Sequence, residues 1–252
     1  MTIRPAHKIE CSEIWGGNRG DQLDVETSGV RASLFSRACD GGKGGDIYYF
    51  SLCDSDVITR IAVADVMGHG SVVSDTSQAL YNTFERHMNS PDSGVVLADL
   101  NAAAVEKGHE ALTTMAVASF NRLDRSLCFS YAGHHHLLLA RAGSSQWSAL
   151  QTEDGGRLAG IPLGVDPRAH FTQACVALSA GDRLFLYTDG VIEAPSPDDE
   201  EFGWERLVDV LTGASERDLG QVRTRVLDAL LAHTGHSMRH DDVTFIAAEI
   251  QT

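Results

Sequence analysis

Four places in this sequence set aspartate where an apolar stretch begins or ends. Asp65 closes "RIAVAD" and Asp46 opens "DIYYF" after two glycines. Asp189 follows "RLFLYT", and the pair Asp241 and Asp242 precedes "VTFIAAEI". A carboxylate on a buried strand is costly unless something neutralises it, and no basic residue adjoins Asp65. Either each aspartate caps or turns the chain, or several meet in space and hold a cation. Oxygen-only ligands suit a hard divalent ion such as Mg²⁺ or Mn²⁺. Two such ions sharing a carboxylate would polarise a water and clamp a phosphate, which is two-metal hydrolase chemistry. Spacing alone does not bring the aspartates together.

The elements that must position them are legible. Strands are expected at "LDVETS", "VRASLFSR", "DIYYFSLCD" and "VITRIAVAD", where apolar residues alternate or run continuously. A helix follows over 71–88, with Val72, Leu80, Phe84 and Met88 near one face. A second, "VVLADLNAAAVEKG", ends on Gly108. Strands resume at "ALTTMAVASFN", "SLCFSYAG", "HLLLARAG", "ACVALS" and "DRLFLYTDG". Helices are expected at about 203–212 and 218–233, the latter with a stripe of Leu219, Val222, Val226 and Leu230, before a closing strand "DVTFIAAEI". Strands joined by short turns favour antiparallel sheets, so the class is α+β with sheets inside and helices outside. No linker is long enough to divide the chain, and residues 1–252 read as one domain.

Composition narrows the partners. The 252 residues carry 20 Lys plus Arg against 35 Asp plus Glu, a formal net charge of -15. That field repels nucleic acid and anionic membranes and favours cations. No run of about 18 apolar residues is present, so no membrane span is expected, and "MTIRPAHKIE" lacks a signal-peptide core. The five cysteines form no C-x-x-C pair. Cys53, Cys128 and Cys175 read as small hydrophobes on strands, pointing to free thiols in a reducing cytoplasm. Nothing here decides between a monomer and a homodimer.

Eight segments in order, "GGDIYYF", "ADVMGHG", "TTMAVASFN", "YAGHHHLLL", "IPLGV", "GDRLFLYTDGVIEA", "EEFGWERL" and "DDVTF", resemble the metal-dependent (PPM, type 2C) serine/threonine protein phosphatases. Within that family they are most similar to the bacterial stage II sporulation protein E group, over roughly residues 30–250. The resemblance implies an α-β-β-α sandwich, two central antiparallel sheets flanked by helices, with two Mn²⁺ or Mg²⁺ ions at one rim. It implies that Asp65 bridges the ions, that the Val66 carbonyl adds an oxygen, and that Asp46, Asp189 and Asp241 complete the ligands. Gly44, Gly45, Gly68 and Gly190 would then let backbone pass close to the metals, and Asp242 would stand beside the ligand Asp241. The implied reaction is direct attack on phosphorus by a hydroxide bridging the ions, with no phosphoenzyme and no nucleophilic role for Cys39 or another thiol.

The sequence departs from the family pattern in places. The wider family has a histidine two residues after the bridging aspartate; here that residue is Met67, and His69 lies two further on. The general-acid role is therefore not carried to His69, which reads as a residue behind the ligands or a helix cap. Lys43, in the long glycine loop "DGGKGGD", either meets the substrate phosphate or is a solvated loop lysine. His134, His135 and His136 cannot chelate one ion, since consecutive strand residues point to opposite faces. His134 reads as near the site or structural, the other two as strand-end residues.

The substrate implied is a phosphoserine or phosphothreonine protein, such as a phosphorylated anti-sigma-factor antagonist in a partner-switching pathway. About 30 residues precede the match, too few for the sensor domain usual in this group. The helix at 71–88, directly after the Asp65 motif, is expected to couple a partner to the metals. Two alternatives stay open: a small-molecule phosphoester hydrolase of the same chemistry, and a non-catalytic binding module on this fold.

Overall fold

The computed structural model describes residues 7–8, 13–17, 21–39, 44–53, 55–67, 71–87, 89–108, 112–153, 158–214 and 218–251, with the backbone alone at 7–8, 13–17, 21, 71–75, 77, 158 and 159. Lys43, Gly68, His69 and Met88, and the side chain of Val72, lie outside the described residues.

In chain order the first strands are β1 (His7–Lys8), β2 (Glu13–Gly17), β3 (Asp21–Glu26), β4 (Val30–Arg37), β5 (Asp46–Leu52) and β6 (Ile58–Val66). Helices α1 (Ser71–Arg86) and α2 (Ser93–Lys107) follow. The chain returns to strands as β7 (Thr113–Asn121), β8 (Ser126–Ala132), β9 (His134–His135), β10 (Leu138–Ala140), β11 (Trp147–Ala149), β12 (Leu158–Ala159), β13 (Gln173–Ala177) and β14 (Arg183–Tyr187). A short helix α3 (Asp189–Ile192) leads to α4 (Gly203–Thr212), α5 (Leu219–His233) and β15 (Val243–Ile250).

One sheet has the order β1-β3-β4-β15-β14-β10-β11, the second β13-β8-β7-β6-β5-β2, and β12 pairs with β9 apart from both. All pairings are antiparallel except β1 with β3. Leu34, Leu186 and Ile246 of the first sheet pack with Phe50, Val63 and Phe129 of the second. The outer face of the first sheet, with Phe185 and Phe245, is covered by Leu207 and Leu211 of α4 and Val222, Val226 and Leu230 of α5. The outer face of the second, with Ala62 and Val117, is covered by Leu80 and Phe84 of α1 and Leu97 and Leu100 of α2. Strands buried on both faces read as continuous apolar runs, which is why they stand out in the sequence. The layers are helix, sheet, sheet, helix, as the resemblance implies.

Local signals set the helix ends. The Asp92 carboxylate accepts the N–H groups of Gly94 and Val95 at the start of α2, and Gly108 ends it at φ +84°. The Asp218 carboxylate accepts from Gln221 at the start of α5. Just past α1, a fully buried arginine does the same work for carbonyls. Arg60 of β6 donates to the His87 carbonyl at 2.7 Å, to the Ser90 carbonyl, and to the Ser119 hydroxyl at 3.1 Å. Burial lowers its pKa to about 10, still cationic at neutral pH.

The structure corrects two expectations. The strand before Asp189 stops at Tyr187; Thr188 turns the chain, and Asp189 is the first residue of α3. Cys128 and Cys175 are not free thiols. They are register partners on β8 and β13 and form a disulfide with S–S 2.05 Å. Partners in an antiparallel ladder point to the same face, but their separation of 47 residues hides this in the sequence. This pair therefore gives no argument for a reducing compartment. Among the described residues, no helix is long and apolar enough to cross a membrane.

Candidate metal centre

The inter-sheet layer changes from apolar to polar at one end, and strand alternation makes it do so. On β5, Leu52, Phe50 and Tyr48 face the layer, and two residues earlier Asp46 takes the same face. On β6, Ile61 and Val63 are followed on that face by Asp65. The register sets Asp46 opposite Asp65, and Asp65 opposite Thr114 of β7. The first sheet answers in kind. Leu184 and Leu186 lead to Thr188, Leu34 leads to Ser36, and Ile246 is preceded on its face by Thr244 and Asp242.

Hydrogen bonds join the two sheets at this rim. The Thr188 hydroxyl donates to Asp46 Oδ2 at 2.8 Å, and the Thr188 N–H donates to the Thr244 carbonyl at 2.9 Å. The Ser36 and Thr244 hydroxyls lie 2.9 Å apart. Asp242 accepts the N–H groups of Cys39 at 2.9 Å, Gly45 at 2.5 Å and Asp46 at 3.4 Å. Its own N–H donates to Asp241 Oδ1 at 2.7 Å. His240 Nε2 donates to the Gly190 carbonyl at 2.8 Å.

Two of the expected glycines are required here, though by protein backbone. A Cβ on Gly45 would overlap the Val66 carbonyl oxygen and come within 3.0 Å of Asp65 Oδ1. A Cβ on Gly190 would overlap the Asp242 carbonyl. Gly44 is part-buried in the same loop.

The carboxylates resist ionisation in each other's company. Burial, then Asp65, hold the pKa of the enclosed Asp46 well above the ordinary carboxylate value, against the Thr188 hydrogen bond. Asp65 is pushed up to about 7, first by burial, then by Asp189, Asp241, Asp242 and Glu193. Asp241 is raised first by burial, then by the charges of Asp189 and Asp242, against the Asp242 N–H bond and, more weakly, His240. Among the described residues the charges that raise Asp65 are all carboxylates, and a cation of high charge is what such a group lacks. The all-oxygen donor set fits a hard divalent ion. Asp46, Asp65, Asp189, Asp241 and the Val66 carbonyl would hold it. Among the described residues no group of three or more acidic, histidine or cysteine side chains lies close enough together, as it stands, to hold a metal ion. The rim is open, with Asp241 exposed and Asp46 buried.

Beside it lies a cleft of about 240 Å³ lined by Thr114, His134, His135, Asp189, Glu193 and Glu201. The buried His134 donates from Nδ1 to the His135 carbonyl at 3.0 Å, and burial lowers its pKa to about 4, so it stays neutral. His135 stacks on Tyr187 at 5.9 Å, and His136 meets the edge of Tyr131 at 5.2 Å. The three histidines occupy separate surroundings. Sequence reasoning missed Thr188, Thr114 and Glu193. The signal for Glu193 was its place one helical turn after Asp189 in "TDGVIE".

The sequence model of the family described as Stage II sporulation protein E (SpoIIE) matches residues 55–251. Phosphoserine phosphatase RsbU of Bacillus subtilis (strain 168) is 25% identical over 234 residues, 90% of this chain and 63% of that protein. The RsbU and RsbW domains of Rv1364c from Mycobacterium tuberculosis share the fold with a TM-score of 0.74 at 21% identity, over 92% of this chain and 63% of that one. RsbX in complex with magnesium gives 0.67 at 19% identity, over 92% of this chain and all of that one. The chain spans less than two thirds of the length of the curated relatives it matches.

Proposed function

Because the chain belongs to the stage II sporulation protein E family, we propose that it is a divalent-metal-dependent phosphatase acting on phosphoserine or phosphothreonine in a protein. One observation carries the reading: Asp46, Asp65, Asp189 and Asp241 come from separate chain segments to one rim, where, among the described residues, carboxylates press on Asp65. A relative that bears the name phosphoserine phosphatase supports the substrate class.

Two Mn²⁺ or Mg²⁺ ions would be held by these aspartates and the Val66 carbonyl. Bound there, such ions act as Lewis acids toward phosphoryl oxygens and lower the pKa of water. The chain's own residues do the positioning. Thr188 and Asp242 fix Asp46 from the side chain and the backbone. Among the described residues the cleft lining carries no lysine or arginine, so in this reading neutralising the phosphate falls chiefly to the ions. A site that grips little beyond the phosphoryl group must gain selectivity from docking elsewhere on the surface. The substrate we favour is a folded signalling protein of the anti-sigma-factor antagonist kind.

The test compares such a folded phosphoprotein, a short phosphopeptide of the same local sequence and small phosphoesters at saturating Mn²⁺. The folded protein should win in kcat/KM, chiefly through KM. Full activity in excess EDTA overturns the metal reading. Better turnover of a small metabolite makes the chain a small-molecule hydrolase instead.

A further inference from the structure

Sequence alone does not distinguish the adjacent acids Asp241 and Asp242; the structure gives them different work. Asp241 is exposed, while Asp242 is 6% exposed. The Asp242 carboxylate spends both oxygens on backbone. Oδ1 takes the Cys39 N–H, just past the end of β4, and Oδ2 takes the N–H groups of Gly45 and Asp46 at the start of β5. Both ends of the glycine loop are tied to one side chain. The Asp242 N–H holds Asp241 Oδ1, and its carbonyl is the surface against which Gly190 must lack a side chain. One residue thus touches the backbone of Asp46, the side chain of Asp241 and the neighbour of Asp189.

We propose that Asp242 is a positioning residue that sets the spacing of three metal ligands without being one itself. The proposal rests on the metal-centre reading above. Its chemistry makes a sharp demand. A carboxylate is an acceptor on both oxygens, whereas an amide is an acceptor on one side and a donor on the other. In Asp242→Asn, either flip sets an NH₂ group against a backbone N–H, at Cys39 or at Gly45 and Asp46. Asp242→Glu keeps the charge but carries the oxygens one methylene too far. Groups that orient metal ligands typically change metal affinity by about 10–100-fold when replaced.

The experiment is calorimetric titration of Mn²⁺ into the metal-free wild type, Asp242→Asn, Asp242→Glu and Asp65→Asn, with thermal melts of each. Both Asp242 variants should bind Mn²⁺ roughly 10–100-fold more weakly. Turnover should recover in part as Mn²⁺ is raised. Wild-type affinity in both Asp242 variants overturns the proposal. Wild-type affinity in Asp242→Glu alone also overturns it, because charge and not placement would then explain the loss. If Asp65→Asn binds Mn²⁺ as the wild type does, the metal reading itself has failed, a result distinct from either. Should one Asp242 variant be unfolded, the other and Gly190→Ala, which presses on the Asp242 carbonyl from the far side, carry the same comparison.

Discussion

Asp46 and Asp65 stand directly opposite each other in the β5–β6 ladder, on the face that meets the other sheet. Opposed like charges are unfavourable in a sheet, and here burial sharpens the conflict. Replacing one of them separates function from stability. Asp65→Asn removes a carboxylate charge but little volume. Turnover and Mn²⁺ binding should be lost, while the metal-free melting temperature stays level or rises. A large fall in that temperature would show the carboxylate to be a structural partner.

The same conflict sets a pH dependence. The folded, metal-free pKa of Asp65 is about 7 against 3.8 for the free side chain. Its stabilising contribution is complete below 3.8 and is lost as pH rises through about 7. Asp46 and Asp241, also raised, act in the same sense. His134, held neutral, opposes them below the ordinary imidazole range. The wild type in EDTA should therefore lose stability between pH 6.5 and pH 8 relative to Asp65→Asn, and Mn²⁺ should abolish the difference. Melting curves of both proteins at the two pH values check it.

Gly45→Ala should damage site and fold together. Its Cβ would overlap the Val66 carbonyl and crowd Asp65, and overpacking of this kind costs about 1–3 kcal/mol. Gly143→Ala is the control. That glycine has φ +74° with nothing within 4 Å of its missing Cβ, so backbone strain of about 1 kcal/mol is expected with no loss of turnover. Urea unfolding and aryl phosphatase assays on both variants make the comparison.

Arg60 predicts a different kind of loss. Its guanidinium satisfies carbonyls of His87 and Ser90 that lie beyond the last turn of α1. Arg60→Met strands them and should cost roughly 2–4 kcal/mol. Arg60→Lys should not restore the loss, because a single ammonium cannot reproduce the planar fork. Urea titration gives the energies, and hydrogen exchange should quicken first around residues 83–90.

The disulfide offers a test under reducing conditions. Cys128 and Cys175 close a loop of 47 residues and join β13, an edge strand, to β8. A link of that span stabilises by about 2–4 kcal/mol. Reductant should lower the urea midpoint of the wild type and leave Cys128→Ser unchanged. Equal midpoints with and without reductant, in a protein shown by alkylation to be bridged, would contradict this.

Much of the architecture was legible because its strands are buried on both faces, and "RIAVAD" or "RLFLY" admits few other readings. The expected strand at 30–37 and helix at 203–212 coincide with β4 and α4. β10 falls within the expected strand "HLLLARAG", but the three-residue β11 was not legible, since so short a ladder is fixed by its neighbours. At the site, aspartates beside glycines announced themselves. Thr188 and Thr244 did not, because a threonine at a strand end is ordinary until its hydroxyl is seen against Asp46 or Ser36. The sequence sets Asp242 beside the ligand candidate Asp241 but does not show its bonds to the loop backbone, because adjacent acids differ only in which way the backbone turns them. The Cys128–Cys175 pair escaped for the same reason as the threonines: its meaning lies in register.

β15 lies between β4 and β14 in the first sheet, although it follows both in the chain. During synthesis the second sheet, whose strands all precede residue 178, can pair completely while the first still has a gap at its centre. The groups that seat Asp46 arrive last, since Thr188 and Asp242 are 142 and 196 residues away from it. A chain cut before β15 would therefore hold every strand of the second sheet and lack the segment that completes the rim. On the proposed function, metal binding and turnover would wait for β15, the strand that follows Asp241 and Asp242.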